Sequence, residues 1–183
     1  MRVIAGTARS IPLKAPKGLD TRPTIDKHKE TLFNCLSPRL YDCIFVDLYS
    51  GSGAIGIEAL SRGAKRAYFV ENDRNALACI KENLEKTHLS DKAVVTAKDV
   101  SVFLGSLHEK ADIIFMDSPF KLHAEKQIIP LIMEKKLLSE DGMIVVECES
   151  DTDFSYLSPL FLEIIKEKQY KSCKHVFIGK DLG

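Results

Sequence analysis

Two short stretches of this chain carry residues whose types and spacing suit chemistry. In the first, Asp47 precedes Leu48, Tyr49 and Ser50, and then Gly51-Ser52-Gly53-Ala54-Ile55-Gly56. Glycine at 51 and 53 permits positive φ and lets a ligand approach the main chain more closely than a Cβ would allow. These letters also fit the dinucleotide pattern G-x-G-x-x-G, and Glu71, at the end of the apolar run Ala67 to Val70, supplies a ribose-binding acid. In the second stretch, Asp117-Ser118-Pro119-Phe120 follows the nearly wholly apolar run Asp112 to Met116. It sets a carboxylate, a carbonyl that Pro119 keeps extended, and an aromatic ring side by side.

Elements of regular structure must bring these stretches together. Ile44 to Leu48 reads as a strand, and Ala54, Ile55, Ile57 and Leu60 recur at helical spacing beyond the glycine loop. Further βα units follow: a strand over Ala67 to Glu71 with a helix that Asp73 opens, and a strand over Lys92 to Ala97 with a short helix over Val100 to Leu107. A buried central strand over Asp112 to Met116, a helix over Ala124 to Lys135 and a strand over Met143 to Cys148 complete a parallel set. Leu162 to Gln169 and Cys173 to Gly179 alternate around Tyr170-Lys171-Ser172, which predicts an antiparallel hairpin at the sheet edge. Ahead of the first core strand, Arg2 to Ala5 and Ser10 to Lys14 predict a β-hairpin, and Ile25 to Leu36 a helix that Pro38 closes. The expected fold class is α/β, with residues 1–40 an appendage to a body over 41–183 and the two forming one compact unit.

Composition narrows the functional classes. The 183 residues suffice to bury a core without staples, no apolar run reaches membrane-span length, and nothing resembles a signal peptide, so a cytoplasmic protein is expected. Five scattered cysteines without a C-x-x-C pair predict reduced core thiols, and five histidines without metal spacing predict surface residues and no metal. The formal net charge is zero, yet residues 1–40 hold eight Lys and Arg against three Asp and Glu. Such a basic arm on a slightly acidic body suits contact with phosphates, and Arg2, Arg9, Lys14, Lys17 and Arg22 are its candidate RNA-binding residues.

The run D-x-x-x-G-x-G from Asp47 resembles the first motif of adenosylmethionine-dependent methyltransferases, and Asp117-Ser118-Pro119-Phe120 is similar to the D/N-P-P-Y/F motif of amino-methyltransferases. Four runs resemble the RsmD-type 16S ribosomal RNA (guanine-N2)-methyltransferases. They are the opening M-R-V-I-A-G, Thr21 to Asn34, Asp47 to Ala64, and F-V-E-N-D from Phe69. The resemblance implies a class I methyltransferase (Rossmann-like) fold, S-adenosyl-L-methionine as cofactor with S-adenosylhomocysteine as product, and a guanine of 16S ribosomal RNA in a 30S particle as substrate, met by a monomer. It implies cofactor contacts at Asp47, Gly51, Ser52, Gly53, Glu71, Asn72, Asp99 and Val100, with Arg22 and Thr24 closing the pocket. Catalysis falls to Asp117 and the Ser118 carbonyl as acceptors of the amine protons, Pro119 as their restraint, and Phe120 as the ring that stacks on a base swung out of its helix. Tyr49-Ser50 and Ser118 depart from the usual family residues.

Two rival readings use the same residues. A nicotinamide oxidoreductase would employ the glycine loop and Glu71 but leaves Asp117 to Phe120 without a task. A catalytically idle RNA-binding or ribosome-assembly factor would keep the fold, with Ser118 as a first loss.

Overall fold

The computed structural model describes residues 1–16, 26–119 and 122–181. Lys17, Arg22, Thr24 and Phe120, named above as site residues, lie outside the described residues.

A seven-stranded sheet runs in the order β3-β2-β1-β4-β5-β7-β6. β1 (Ile44–Leu48), β2 (Arg66–Val70), β3 (Ala93–Thr96), β4 (Ala111–Met116) and β5 (Leu138–Glu149) are parallel. β7 (Cys173–Lys180) pairs antiparallel with β5 on one side and with the edge strand β6 (Leu162–Gln169) on the other. Because side chains alternate along a strand, each strand feeds two cores. Phe45, Phe69, Phe115 and Val145 pack on one face against α1 (Asp26–Leu40), α2 (Ala54–Ser61) and α3 (Arg74–Thr87). Val46, Val70, Ile114 and Val146 pack on the other against α4 (Val100–Ser106), α5 (Glu125–Glu134) and the 3-10 turn Ser155–Leu160.

Two element boundaries differ from the sequence reading by more than one residue. α1 continues through Pro38 to Leu40: the absent Pro38 N–H costs one bond, to the Asn34 carbonyl, and the buried Leu36 and Leu40 hold the last turn on the core. β5 starts at Leu138 instead of Met143. Gly142, read as a breaker, lies in an irregular stretch of the ladder, where Ala111 pairs with Leu138 and Ile113 with Met143. There its α-carbon packs so closely that a Cβ would lie 3.0 Å from the Ala111 carbonyl oxygen.

The N-terminal hairpin is present only as hydrogen-bonded arms. Val3 donates to Ile11, Ser10 to Val3 and Leu13 to Met1, with one antiparallel bridge between Arg2 and Pro12. A buried charge helps to fix the arms to the body. Glu58, in a helix whose one other polar side chain is Ser61, accepts the amides of Ile4 at 2.8 Å and Ala5 at 3.0 Å. It also pairs with Arg62 Nε at 2.8 Å and with Lys29 Nζ of α1 at 3.4 Å. The Lys29 and Glu58 side chains are both 0% exposed. Burial lowers the Lys29 pKa, and Glu58 opposes that shift.

Removing one partner of a buried pair leaves the other charge uncompensated, at a cost of about 3 to 5 kcal/mol. Glu58→Ala is therefore expected to lose about that much stability in denaturant titrations. In hydrogen exchange, the Ile4 and Ala5 amides should lose protection while the strand amides of β1 and β4 keep most of theirs.

Candidate active site

Chain order reverses at β1, which has β2 and β3 on one side and β4 and β5 on the other. Open parallel sheets bind ligands at strand carboxyl ends at such a reversal. Asp47 lies in β1, Glu71 immediately follows β2, and Asp117 immediately follows β4. With strands about 4.8 Å apart, the ends of β2 and β4 stand about 10 Å from each other across the end of β1.

The loop after β1 is held from several directions. Tyr49 has φ 60°, Gly51 55° and Gly53 78°. A left-handed Gly53 at the N-terminus of α2 offers no side chain to cap the helix. Asp47 does so from within the sheet: its Oδ2 accepts the amide of Gly56 at 3.0 Å. Burial raises the Asp47 pKa well above the usual carboxylate range; the Gly56 amide opposes this, and the charges of Asp117 and Glu71 add to it. Ser50 Oγ donates to the Asp47 carbonyl at 2.6 Å and lies 3.3 Å from the Val70 carbonyl, to which the Ser50 amide donates at 3.0 Å, so main chain and hydroxyl together tie the end of β1 to β2. Space beside the Gly51 α-carbon is open, since a Cβ there would meet no atom within 4 Å. Gly56 is the opposite case, where a Cβ would lie 2.4 Å from the Phe69 ring.

Glu71 organises the loop from β2. Its Oε2 accepts the Gly51 amide at 2.9 Å, and its Oε1 accepts the amides of Asn72 at 2.8 Å and Asp73 at 2.9 Å. A carboxylate has about four lone-pair sites, so roughly one stays available for a ligand hydroxyl. Asp99 follows β3 and caps α4, accepting the Ser101 amide at 2.8 Å and the Ser101 hydroxyl at 2.6 Å, bonds that lower its pKa. Val100 is buried beneath it, and Asn72 is exposed beside Glu71. Asp47, Glu71 and Asp99 thus mark three successive strand ends in the order β1, β2, β3.

On the other side of β1, Asp117 is partly exposed, Ser118 is buried and Pro119 is exposed. The Pro119 carbonyl accepts the Leu122 amide at 2.9 Å. Burial first, and then the charge of Glu147, push the Asp117 carboxyl up to about 8. Arg2, Arg9 and Lys14 of the basic arm are all exposed. Arg2 pairs with Asp26 at 3.6 Å, and Lys14 pairs with Glu82, so part of the arm's charge is matched locally.

Three polar residues near the site escaped the sequence reading. Asn83, buried in α3, accepts the Lys14 amide at 2.9 Å and donates to the carbonyls of Lys14 at 3.0 Å and Ser52 at 2.9 Å, joining the arm to the glycine loop. His175 was expected at the surface and is instead 0% exposed, with Nε2 2.7 Å from Glu147 Oε2. The available signal was a polar residue interrupting an apolar stripe: Asn83 beside Ile80 and Leu84, Glu147 after Val146, and His175 before Val176. Among the described residues, no group of three or more His, Cys, Asp or Glu is placed to hold a metal ion, and no helix is long and apolar enough to cross a membrane.

A 3-2-1-4-5-7-6 sheet with a glycine loop after its first strand is the class I methyltransferase fold, an α/β Rossmann-like architecture. The Escherichia coli protein yhhF superposes with a TM-score of 0.86 at 31% identity, covering 99% of this chain and 98% of that one. Residues 1–179 match the family described as Conserved hypothetical protein 95. Ribosomal RNA small subunit methyltransferase D of Haemophilus influenzae is 35% identical over 92% of this chain and 88% of its own. YlbH of Bacillus subtilis is 39% identical over 84% and 85% respectively. The chain belongs to this RsmD family.

A raised carboxyl pKa costs stability wherever the unfolded chain is ionised and the folded one is not. For Asp117 that window runs from the ordinary 3.8 to about 8, and stability falls as pH rises through it. Asp117→Asn removes the loss. Its stability relative to wild type is expected to climb between about pH 5 and 8, by at most about 1.4 kcal/mol per unit, in denaturant midpoints measured at each pH.

Proposed function

We propose that this protein is an S-adenosyl-L-methionine-dependent methyltransferase that methylates the exocyclic N2 of a guanine in small-subunit (16S) ribosomal RNA. The observation that carries the reading is the placement of Asp117 and the Ser118 carbonyl at the end of β4, one strand from the Asp47-to-Gly56 loop. The named activity of the Haemophilus influenzae relative supports a ribosomal RNA substrate.

The residues present fit the cofactor. Open space at Gly51 admits a ligand against the main chain, and Glu71 keeps an acceptor for a ribose hydroxyl while its other oxygen sites hold the loop. S-adenosyl-L-methionine supplies an activated methyl on sulfonium and leaves as S-adenosylhomocysteine. Asp99 and Val100, at the end of β3, flank the adenine side. A guanine amine is a poor nucleophile because its lone pair is delocalised into the base. Asp117 and the Ser118 carbonyl accept its two protons and draw it toward a tetrahedral nitrogen, and Phe120 stacks on the base. Ser118 in place of a proline leaves this acceptor in being, since the group that matters is main chain. The arm over residues 1–40, with Arg2, Arg9 and Lys14 exposed, faces the RNA backbone, and the body over 41–183 performs the transfer. The substrate is the RNA within a 30S particle, met in the cytoplasm by a monomer.

Asp117→Asn keeps the shape but loses a charge-assisted bond that is about twice as strong as a neutral one. Single-turnover methylation of 30S particles with labelled S-adenosyl-L-methionine should slow by roughly a hundredfold or more, with S-adenosylhomocysteine affinity changed far less. A near-normal rate would remove the mechanism.

A further inference from the structure

Asp117, Glu147 and His175 stand in one row across three adjacent strands. Met116 is level with Val146 in the β4–β5 ladder, so Asp117 and Glu147 are lateral neighbours at its end. Glu147 is directly opposite His175 in the β5–β7 ladder. All three follow the alternation of Phe115, Val145 and Phe177, so they share the sheet face that α1 to α3 cover. Both ring nitrogens of His175 have a partner. Its Nε2 meets Glu147 at 2.7 Å, its Nδ1 meets the Tyr170 hydroxyl at 3.1 Å, and the Phe115 ring presents an edge at 6.4 Å. Tyr170 in turn stacks on His28 of α1 with centroids 3.8 Å apart.

We infer that Glu147, bonded to His175, is a positioning residue that strengthens Asp117 as the base for the guanine amine. This rests on the function proposed above. As the N–CH3 bond forms and the S–CH3 bond breaks, the positive charge passes from sulfur to the amine nitrogen. That nitrogen then gives a proton to the Asp117 carboxylate, leaving a neutral carboxylic acid and neutral N2-methylguanine. A second carboxylate beside the first makes the first hold its proton more tightly, as in any close acid pair. The charge of Glu147 contributes to the raised Asp117 pKa in this sense, after burial. Other titratable groups reach the row from each neighbouring element. Asp47 in β1 is close enough to interact with Asp117. From α1, His28 interacts with Glu147, His175 and Lys27, and burial lowers its pKa. At the β6–β7 turn, burial pushes the Tyr170 phenol up to about 12, so it stays a hydroxyl and can bond His175 in either protonation state.

Glu147→Gln keeps the shape and an acceptor for His175 but removes the charge. Two readouts apply: carboxyl NMR titration of Asp117 in the free protein, and the pH dependence of single-turnover methylation of 30S particles across about pH 6 to 9. The Asp117 titration and the acid limb of the rate profile are both expected to move down by about one unit or more, with the plateau rate falling about tenfold. Glu147→Asp, which keeps the charge, is expected to hold both near their wild-type positions. Unchanged S-adenosylhomocysteine affinity shows that either variant is folded. A Glu147→Gln titration and limb at wild-type positions, or a Glu147→Asp limb displaced as far as that of Glu147→Gln, would overturn the inference while leaving an inactive Asp117→Asn to support the methyltransferase reading. An active Asp117→Asn would remove that reading and the inference with it.

Discussion

The site depends on one buried hydrogen bond, from the Gly56 amide to Asp47 Oδ2. A parallel sheet presents its carboxyl ends to a ligand only if the chain turns sharply there, and the sharpest turn here runs through left-handed Tyr49, Gly51 and Gly53. Such a turn leaves the start of α2 without a side-chain cap. Asp47 supplies the cap from the middle of the sheet, at the expense of burying a carboxyl group that would otherwise ionise freely. The loop is thereby fixed to β1 by Asp47, and to β2 by Ser50 and Glu71, before any ligand arrives. Preorganisation of this kind lets binding energy go into positioning reactants instead of ordering the protein.

The N-terminal arm depends on the same logic applied to polar groups. Glu58 and Asn83 satisfy arm backbone that would otherwise be stranded against apolar helices, and each does so from a helix that also borders the glycine loop. Val3, Ala8 and Leu13 join the core that contains Phe45 and Phe115. Arm, loop and sheet therefore share one set of contacts, which places the exposed basic residues of the arm in fixed relation to the strand ends.

Much of the architecture was readable in the chain because its strands follow simple patterns. The five parallel strands, the Asp73 cap of α3 and the C-terminal hairpin all came from apolar runs, alternation and turn residues. Glycine spacing located the loop, and an acid closing an apolar strand located Asp117. Boundaries failed where a breaker was accommodated, at Pro38 in a last helical turn and at Gly142 in an irregular ladder. The buried polar residues were the larger omission. Lys29, Asn83 and His175 look like surface residues in sequence because nothing local shows that Glu58, the Lys14 backbone and Glu147 will come to meet them; each partner is 28 or more residues away in the chain.

Folded this way, the chain has an acid that binds and orders a loop at the end of β2 and an acid held close to its protonation point at the end of β4. Such a division of roles suits a cofactor on one side of β1 and a proton-bearing nucleophile on the other. A nicotinamide oxidoreductase would use the first side only. Mass spectrometry of 16S ribosomal RNA from a strain lacking this gene tests the account most directly. The account predicts loss of the methyl group from N2 of one guanine, restored by the wild-type gene supplied in trans. An unchanged set of methylated nucleotides in the deletion strain would contradict it.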